Sequence, residues 1–67
     1  MSKFGERLKE IRIEKGLTQD RLSDAVGITQ ASISAYEAQK MSPTAEVIIT
    51  FCKFFQVSAD FLLGLED

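Results

Sequence analysis

The residues best suited to chemistry in this sequence lie within residues 27–37, GITQASISAYE. Between apolar residues at a helical spacing, the stretch carries Thr, Gln, Ala and Ser, which are short and uncharged. A merely solvated helix face would favour Glu and Lys, because these residues serve helix propensity and solubility better. The amide of Gln30 matches adenine N6 and N7, and the methyl of Ala31 can touch a thymine methyl. The pattern therefore suits a helix that approaches base edges closely.

Neighbouring polar residues extend this surface. Ser34 lies one turn along the same helix and can reach a base or a phosphate, and Ala35 lies at the edge of that face. Thr29 precedes the helix, where its hydroxyl can cap N–H groups and also contact DNA. Gln19 follows the cap residue Thr18, at a helix start whose unpaired N–H groups and positive dipole suit a phosphate oxygen. Surface or capping roles without DNA contact are the alternative for each residue.

Five short helices are predicted to carry these residues, because apolar residues recur at i, i+4 and i+7 between capping and stop signals. Their approximate ranges are 2–14, 18–26, 29–38, 43–55 and 59–64. Ser42 and Pro43 have the pattern of an N-cap followed by proline at the first helical position, which sets the predicted start of the fourth helix. No strand-like alternation occurs, so an all-α fold is expected.

Length and composition exclude several classes of protein. The 67 residues allow one domain, 1–67, whose small core makes dimerisation a common source of stability. One cysteine, Cys52, and no histidine exclude an internal disulfide, a His/Cys metal site and a nucleophile–His pair. No cofactor, metal, catalytic function or membrane partner is expected. The charged, amphipathic first ten residues are unlike a secretory signal, and a cytoplasmic location is predicted.

Charge is distributed unevenly along the chain, whose net charge is −2. Residues 1–40 hold seven Lys or Arg against six Asp or Glu, whereas residues 41–67 hold one against four. Any nucleic-acid surface should therefore lie in the first two thirds, where the weak positive field predicts modest long-range steering.

Three segments together carry a specific resemblance: KGLTQDRLSDAVGITQASISAYE (15–37), SPT (42–44) and VSADFLL (57–63). In this order they resemble the phage-repressor (Cro/cI, Xre) type of DNA-binding domain, and the likeness covers nearly the whole chain. The resemblance implies a compact five-helix lambda-repressor-like domain with a helix-turn-helix at about 18–38. The second helix of such a motif enters the DNA major groove.

The resemblance also assigns roles to individual residues. It implies that Gln19 holds a phosphate and braces Gln30, and that Arg12 and Glu37 form a structural ion pair. It places Lys40 in a phosphate-contacting loop, although EAQKMSP lacks the Asn-Gly or Arg-Gly often found there and has only one basic residue. The expected DNA-contacting residues are Thr18, Gln19, Thr29, Gln30, Ala31, Ser34, Ala35 and Lys40.

The fourth predicted helix carries more apolar surface than one core needs. Ile48, Phe51, Cys52 and Phe55 form an inward stripe, and Val47 and Phe54 lie about 100° from its centre. With Phe61 of the fifth helix, Val47 and Phe54 are predicted to form a homodimer interface. Absorption of these residues into the core is the alternative.

The leading prediction is a sequence-specific DNA-binding regulator, a repressor that binds a palindromic operator as a homodimer. One alternative is an antitoxin-like or adaptor module that uses the Val47, Phe54 and Phe61 surface to bind another protein. A second alternative is a DNA-tethering domain of a larger enzyme. The acidic balance and the sparse phosphate loop slightly favour the interaction module.

Overall fold

The computed structural model describes residues 3–66, and within that range the chain forms five α-helices and no strand. The helices are α1 (Phe4–Glu14), α2 (Gln19–Val26), α3 (Gln30–Glu37), α4 (Ala45–Phe55) and α5 (Ala59–Leu63). The all-α, five-helix prediction is confirmed. The predicted start of α1 at Ser2 lies outside the described residues, and the helix itself begins at Phe4.

Side-chain caps fix the starts of α2, α3 and α5, and those at Thr18 and Thr29 are as predicted. The hydroxyls of Thr18, Thr29 and Ser58 each accept a hydrogen bond from the backbone N–H three residues later, at 3.0 to 3.2 Å. Gly27 ends α2 with φ 75°, in the left-handed region that costs glycine little. Residues 27–29 therefore form the short turn between α2 and α3.

The predicted start of α4 is wrong by two residues. The helix begins at Ala45, and its N-cap is Thr44, whose hydroxyl accepts the Val47 N–H at 3.2 Å. Ser42 and Pro43 precede the helix in irregular chain. Thr, like Ser, is a favoured N-cap residue, and Pro43 is also acceptable just outside a helix.

The helices enclose one apolar core. α1 packs against α3 and α5, α2 packs against α3 and α4, and α4 packs against α5. The described part of the chain measures 27 × 23 × 20 Å. None of the helices within residues 3–66 has the length and apolar character needed to cross a membrane. The buried apolar residues are Phe4, Leu8, Ile11, Leu22, Ile33, Tyr36, Phe51, Phe55 and Leu62.

The start of α1 lies unusually close to the end of α3. A Cβ atom at Gly5 would meet the Tyr36 carbonyl oxygen at 2.2 Å, so the position requires glycine. The rings of Phe4 and Tyr36 pack edge to face, with centroids 5.8 Å apart. These contacts hold the C-terminal end of α3 against α1.

Candidate nucleic-acid interface

One face of α3 packs into the core, and the opposite face points outward. Ile33 and Tyr36 point into the core and are 0% and 6% exposed, respectively. On the other side, Gln30 and Ala31 are exposed, while Ser34 and Ala35 are half-buried. The predicted contact residues of α3 therefore share a short, uncharged outer surface, and different residues fix the helix in place.

Hydrogen bonds between side chains connect the starts of α2 and α3. The Nε2 atom of Gln30 donates to Oε1 of Gln19 at 2.7 Å. The Nε2 atom of Gln19 donates in turn to Oε1 of Glu37 at 3.1 Å. Gln19 thus braces Gln30 as the resemblance implied, and it also bonds to the end of α3.

Arg12 and Glu37 form the ion pair that the resemblance implied. Arg12 donates from Nε to Glu37 Oε2 at 2.6 Å and from Nη2 to Glu37 Oε1 at 2.9 Å. Its Nη1 donates to the Leu17 carbonyl oxygen at 2.8 Å. This bidentate geometry suits a guanidinium and ties α1 to α3 and to the loop before α2.

The ion pair is largely shielded from solvent. The side chains of Arg12 and Glu37 are 11% and 4% exposed. The hydrogen bond to Glu37 raises the pKa of Arg12 above its ordinary value, although burial opposes that shift. Within residues 3–66, no buried side-chain nitrogen or oxygen lacks a hydrogen-bond partner. Arg12 therefore serves as a fixed charge that neutralises Glu37.

The two threonine caps differ in what they can offer a phosphate. Thr29 accepts the Ser32 N–H and also donates its hydroxyl hydrogen to Ser32 Oγ at 2.9 Å. A phosphate oxygen needs a donor, so a contact from Thr29 would have to displace that bond. Thr18 accepts from the Arg21 N–H, and its own hydroxyl hydrogen can point outward.

Lys40 is exposed in the loop after α3. Gln39 adopts φ 58°, in the left-handed region that favours glycine, and the Lys40 N–H donates to the Ala35 carbonyl oxygen at 2.9 Å. The departure from Asn-Gly or Arg-Gly therefore does not prevent this turn, because Gln39 accepts the left-handed conformation.

A further basic residue borders the surface. A shallow depression is lined by Lys9, Arg12, Gln19, Ser34, Glu37 and Ala38. Lys9 is exposed, and the fold brings it beside Gln19 and Ser34, two of the predicted contact residues. The i, i+3 spacing of Lys9 and Arg12 on α1 was the available signal, since such residues share a helix face.

The predicted dimer surface is narrower in the structure than expected. Phe54 is 41% exposed, whereas Val47 and Phe61 are half-buried and pack against the core. The Arg7 guanidinium also lies over the Phe61 ring, 4.8 Å from its centroid. Phe54 is therefore the most accessible of the three side chains.

Comparison with known proteins settles the family. A sequence model of the helix-turn-helix family HTH_3 matches residues 8–62. The chain belongs to this family. Members of the HTH_3 family include a transcriptional regulator from Vibrio cholerae, whose crystal structure gives a TM-score of 0.84 at 22% identity. That comparison covers 97% of this chain and 36% of the other, and it confirms the fold.

Curated relatives of this HTH_3 domain are named as regulators of transcription. YonR, an SPbeta prophage-derived HTH-type transcriptional regulator from Bacillus subtilis, is 42% identical over 60 residues, covering 90% of this chain and 56% of its own length. BcrR, an HTH-type transcriptional activator from Enterococcus faecalis, is 36% identical over 96% of this chain and 31% of its own. The chain spans about half the length, or less, of these relatives. The resemblance to phage-repressor-type domains is confirmed.

Proposed function

We propose that this domain is a sequence-specific DNA-binding regulator of transcription, with α3 in the major groove. The observation that carries the proposal is the short, uncharged outer surface of α3, on which Gln30 and Ala31 are exposed and Gln30 is held by Gln19 at the N-terminal end. Residues at this end of a recognition helix make the base contacts in helix-turn-helix proteins. Gln30 reads adenine, Ala31 meets a thymine methyl, and Ser34 contacts a base or phosphate.

Phosphate contacts surround this surface in the proposed complex. Lys9 supplies positive charge beside Ser34 and Lys40 supplies it in the loop after α3, and Thr18 and Gln19 supply donors at the start of α2. Each phosphate neutralised by a cation contributes about −0.9 to the slope of log affinity against log salt concentration. Replacing Lys40 or Lys9 by Ala should therefore flatten the slope by about one unit while leaving the preferred DNA sequence unchanged.

The proposed DNA complex contains a homodimer on a palindromic operator. Val47 and Phe54 lie about 20° apart around α4, since seven residues nearly complete two turns. Phe54 and the accessible parts of Val47 and Phe61 form the contact between copies. Adjacent copies of these dimensions can place equivalent helices about 34 Å apart, one turn of DNA.

The dimer is tested by sedimentation at micromolar concentration, with and without DNA. Phe54→Glu should shift the protein towards monomer and weaken binding to a palindrome more than binding to a half-site. Ile49→Glu is the matched control, because Ile49 is 51% exposed and lies about 140° away around α4. Wild-type protein that stays monomeric on its operator would contradict the dimer.

Repression is the proposed effect on transcription, through occupation of an operator that overlaps a promoter. BcrR is named as an activator, so the domain type alone does not determine the direction. A reporter downstream of the selected operator should lose expression when the protein is present. Increased expression would overturn repression while leaving DNA binding intact.

Selection of bound duplexes from a random pool is the experiment that tests sequence-specific binding. We expect palindromic sites that contain A·T pairs, and Gln30→Ala should lose the preference at one position of each half-site. Gln56→Asn is a suitable control because Gln56 is exposed beyond the end of α4. An unchanged consensus for Gln30→Ala would show that Gln30 reads no base.

A protein-interaction module is the second candidate, favoured by the exposed Phe54 beside Leu17 and by the acidic residues 41–67. Such a module would bind DNA weakly or not at all. A salt-dependent gel shift distinguishes the two candidates, since specific binding survives competitor DNA at moderate salt.

A further inference from the structure

A continuous series of hydrogen bonds leads from α1 to the exposed start of α3. Arg12 donates to Glu37, Gln19 donates to Glu37, and Gln30 donates to Gln19. Along this series the side chains pass from 4% exposed at Glu37, through the half-buried Gln19, to the exposed Gln30. A buried charge is therefore linked to the amide that is proposed to read a base.

The chemistry of Glu37 fixes the direction of every bond in the series. A carboxylate accepts hydrogen bonds and cannot donate them, whereas each glutamine amide has one donating end and one accepting end. Gln19 must therefore turn Nε2 towards Glu37, which leaves Oε1 facing Gln30. Gln30 must in turn donate from Nε2 to Gln19. Reversing either amide would place two donors or two acceptors face to face.

The fixed direction leaves Gln30 with a defined outward pattern. The Nε2 end of the Gln30 amide, which keeps a second hydrogen, is the end nearer Gln19. The Oε1 end is the one farther from Gln19. Adenine offers an acceptor at N7 and a donor at N6, which match this pattern. Guanine offers acceptors at both N7 and O6, so its O6 would face the Gln30 oxygen. An unbraced amide can turn over and present Nε2 to guanine instead.

We propose that Glu37 is a positioning residue for sequence recognition, which acts through Gln19 to set the orientation of the Gln30 amide and so imposes adenine over guanine. This assignment rests on the proposed DNA-binding function. In this proposal Glu37 does more than pair with Arg12. Other hydrogen-bond acceptors could satisfy Arg12, whereas the orientation of Gln19 requires a group that accepts and cannot donate.

The test measures affinity for two duplexes that differ only at the base pair read by Gln30, which is identified by the Gln30→Ala selection. Wild-type protein should prefer adenine over guanine by roughly 5-fold to 150-fold, the range of a good bidentate contact. Glu37→Gln should reduce this ratio towards one, because an amide at position 37 no longer dictates the orientation of Gln19. The ratio distinguishes positioning from general stability, which would change both affinities equally.

Two further variants keep the test independent of folding defects. Gln19→Leu leaves the pair between Arg12 and Glu37 intact and should also lower the ratio. The double variant that combines Gln19→Glu with Glu37→Gln puts a carboxylate beside Gln30 and an amide donor behind it. That variant should recover the wild-type ratio, although the negative charge near phosphate lowers both affinities.

Spectra of the free protein test the series of bonds without DNA. The side-chain amide resonances of Gln30 should shift in Glu37→Gln and in Gln19→Leu. Resonances that stay fixed would overturn the assignment, as would folded variants that keep the full wild-type ratio. Failure of the proposed function has a different signature: wild-type protein would then bind all duplexes equally, and Gln30→Ala would change nothing.

Discussion

Replacement of Arg12 by Met isolates the energetic role of the ion pair. The change keeps a long side chain with similar helix propensity and removes all three N–H contacts of the guanidinium. Glu37, whose side chain is 4% exposed, then retains only the Gln19 amide, 3.1 Å away. An uncompensated carboxylate would remain close to the core.

The expected loss is large for a domain of this size. Removing one partner of a buried ion pair lowers the free energy of unfolding by about 3–5 kcal/mol. The total free energy of unfolding of a 67-residue domain is roughly 3–10 kcal/mol. At 4–8 °C for each kcal/mol, the melting temperature should fall by roughly 12–40 °C. The Arg12→Met/Glu37→Met double variant should lose less, about 1–3 kcal/mol, because the Leu17 carbonyl loses its donor and the Gln19 amide loses its acceptor but no unpaired charge is left buried.

Urea denaturation followed by circular dichroism measures both variants. Arg21→Met is the matched control, since Arg21 is exposed on α2 and its replacement should change stability by less than about 0.5 kcal/mol. The reasoning is refuted if Arg12→Met costs less than about 1 kcal/mol, as for an exposed pair. A double variant less stable than either single variant would refute it equally, because it would mean that the lone carboxylate carries no special cost.

Three smaller predictions concern helix ends and the thiol. Thr44→Ala should lower the free energy of unfolding, measured by urea denaturation, by about 0.5–2 kcal/mol, and Ser42→Ala should hardly change it. A larger loss for Ser42→Ala would show that Ser42 is the N-cap. Gln56 has φ 57°, in the left-handed region that is strained for a residue with a Cβ atom, so Gln56→Gly should raise the free energy of unfolding by roughly 0.5–1 kcal/mol. A loss of stability would contradict this. Burial raises the pKa of Cys52, so alkylation by iodoacetamide at pH 8 should be slower than for a cysteine peptide and should accelerate in urea, whereas equal rates would show an exposed thiol.

Much of the fold was predictable because its signals are local. The caps at Thr18, Thr29 and Ser58 and the stops at Gly27 and Gly64 act within one helical turn, so the sequence carries them directly. Predictions failed where two local signals competed. Ser42 with Pro43 and Thr44 alone each describe a valid start for α4, and only the packing of that helix decides between them.

The placement of the candidate site residues on the helices was predictable from sequence, whereas the hydrogen bonds between them were less so. Helical periodicity and the turn before α3 are enough to place Thr29, Gln30 and Ser34 near one another. The bond between Gln19 and Glu37 joins residues 18 positions apart and has no local signature. Periodicity also overestimated the exposure of Val47 and Phe61, because it gives direction around a helix and cannot say how far neighbouring side chains cover a residue.

The division of α3 into packing residues and outward residues has an evolutionary consequence. Ile33 and Tyr36 hold the helix in place, and Gly5 allows α1 to clamp its end. Ala31 and Ser34 contribute little to that anchoring, so substitutions there alter the outer chemistry without moving the backbone. Descendants of one ancestral gene can therefore diverge in preferred operators while inheriting the same scaffold.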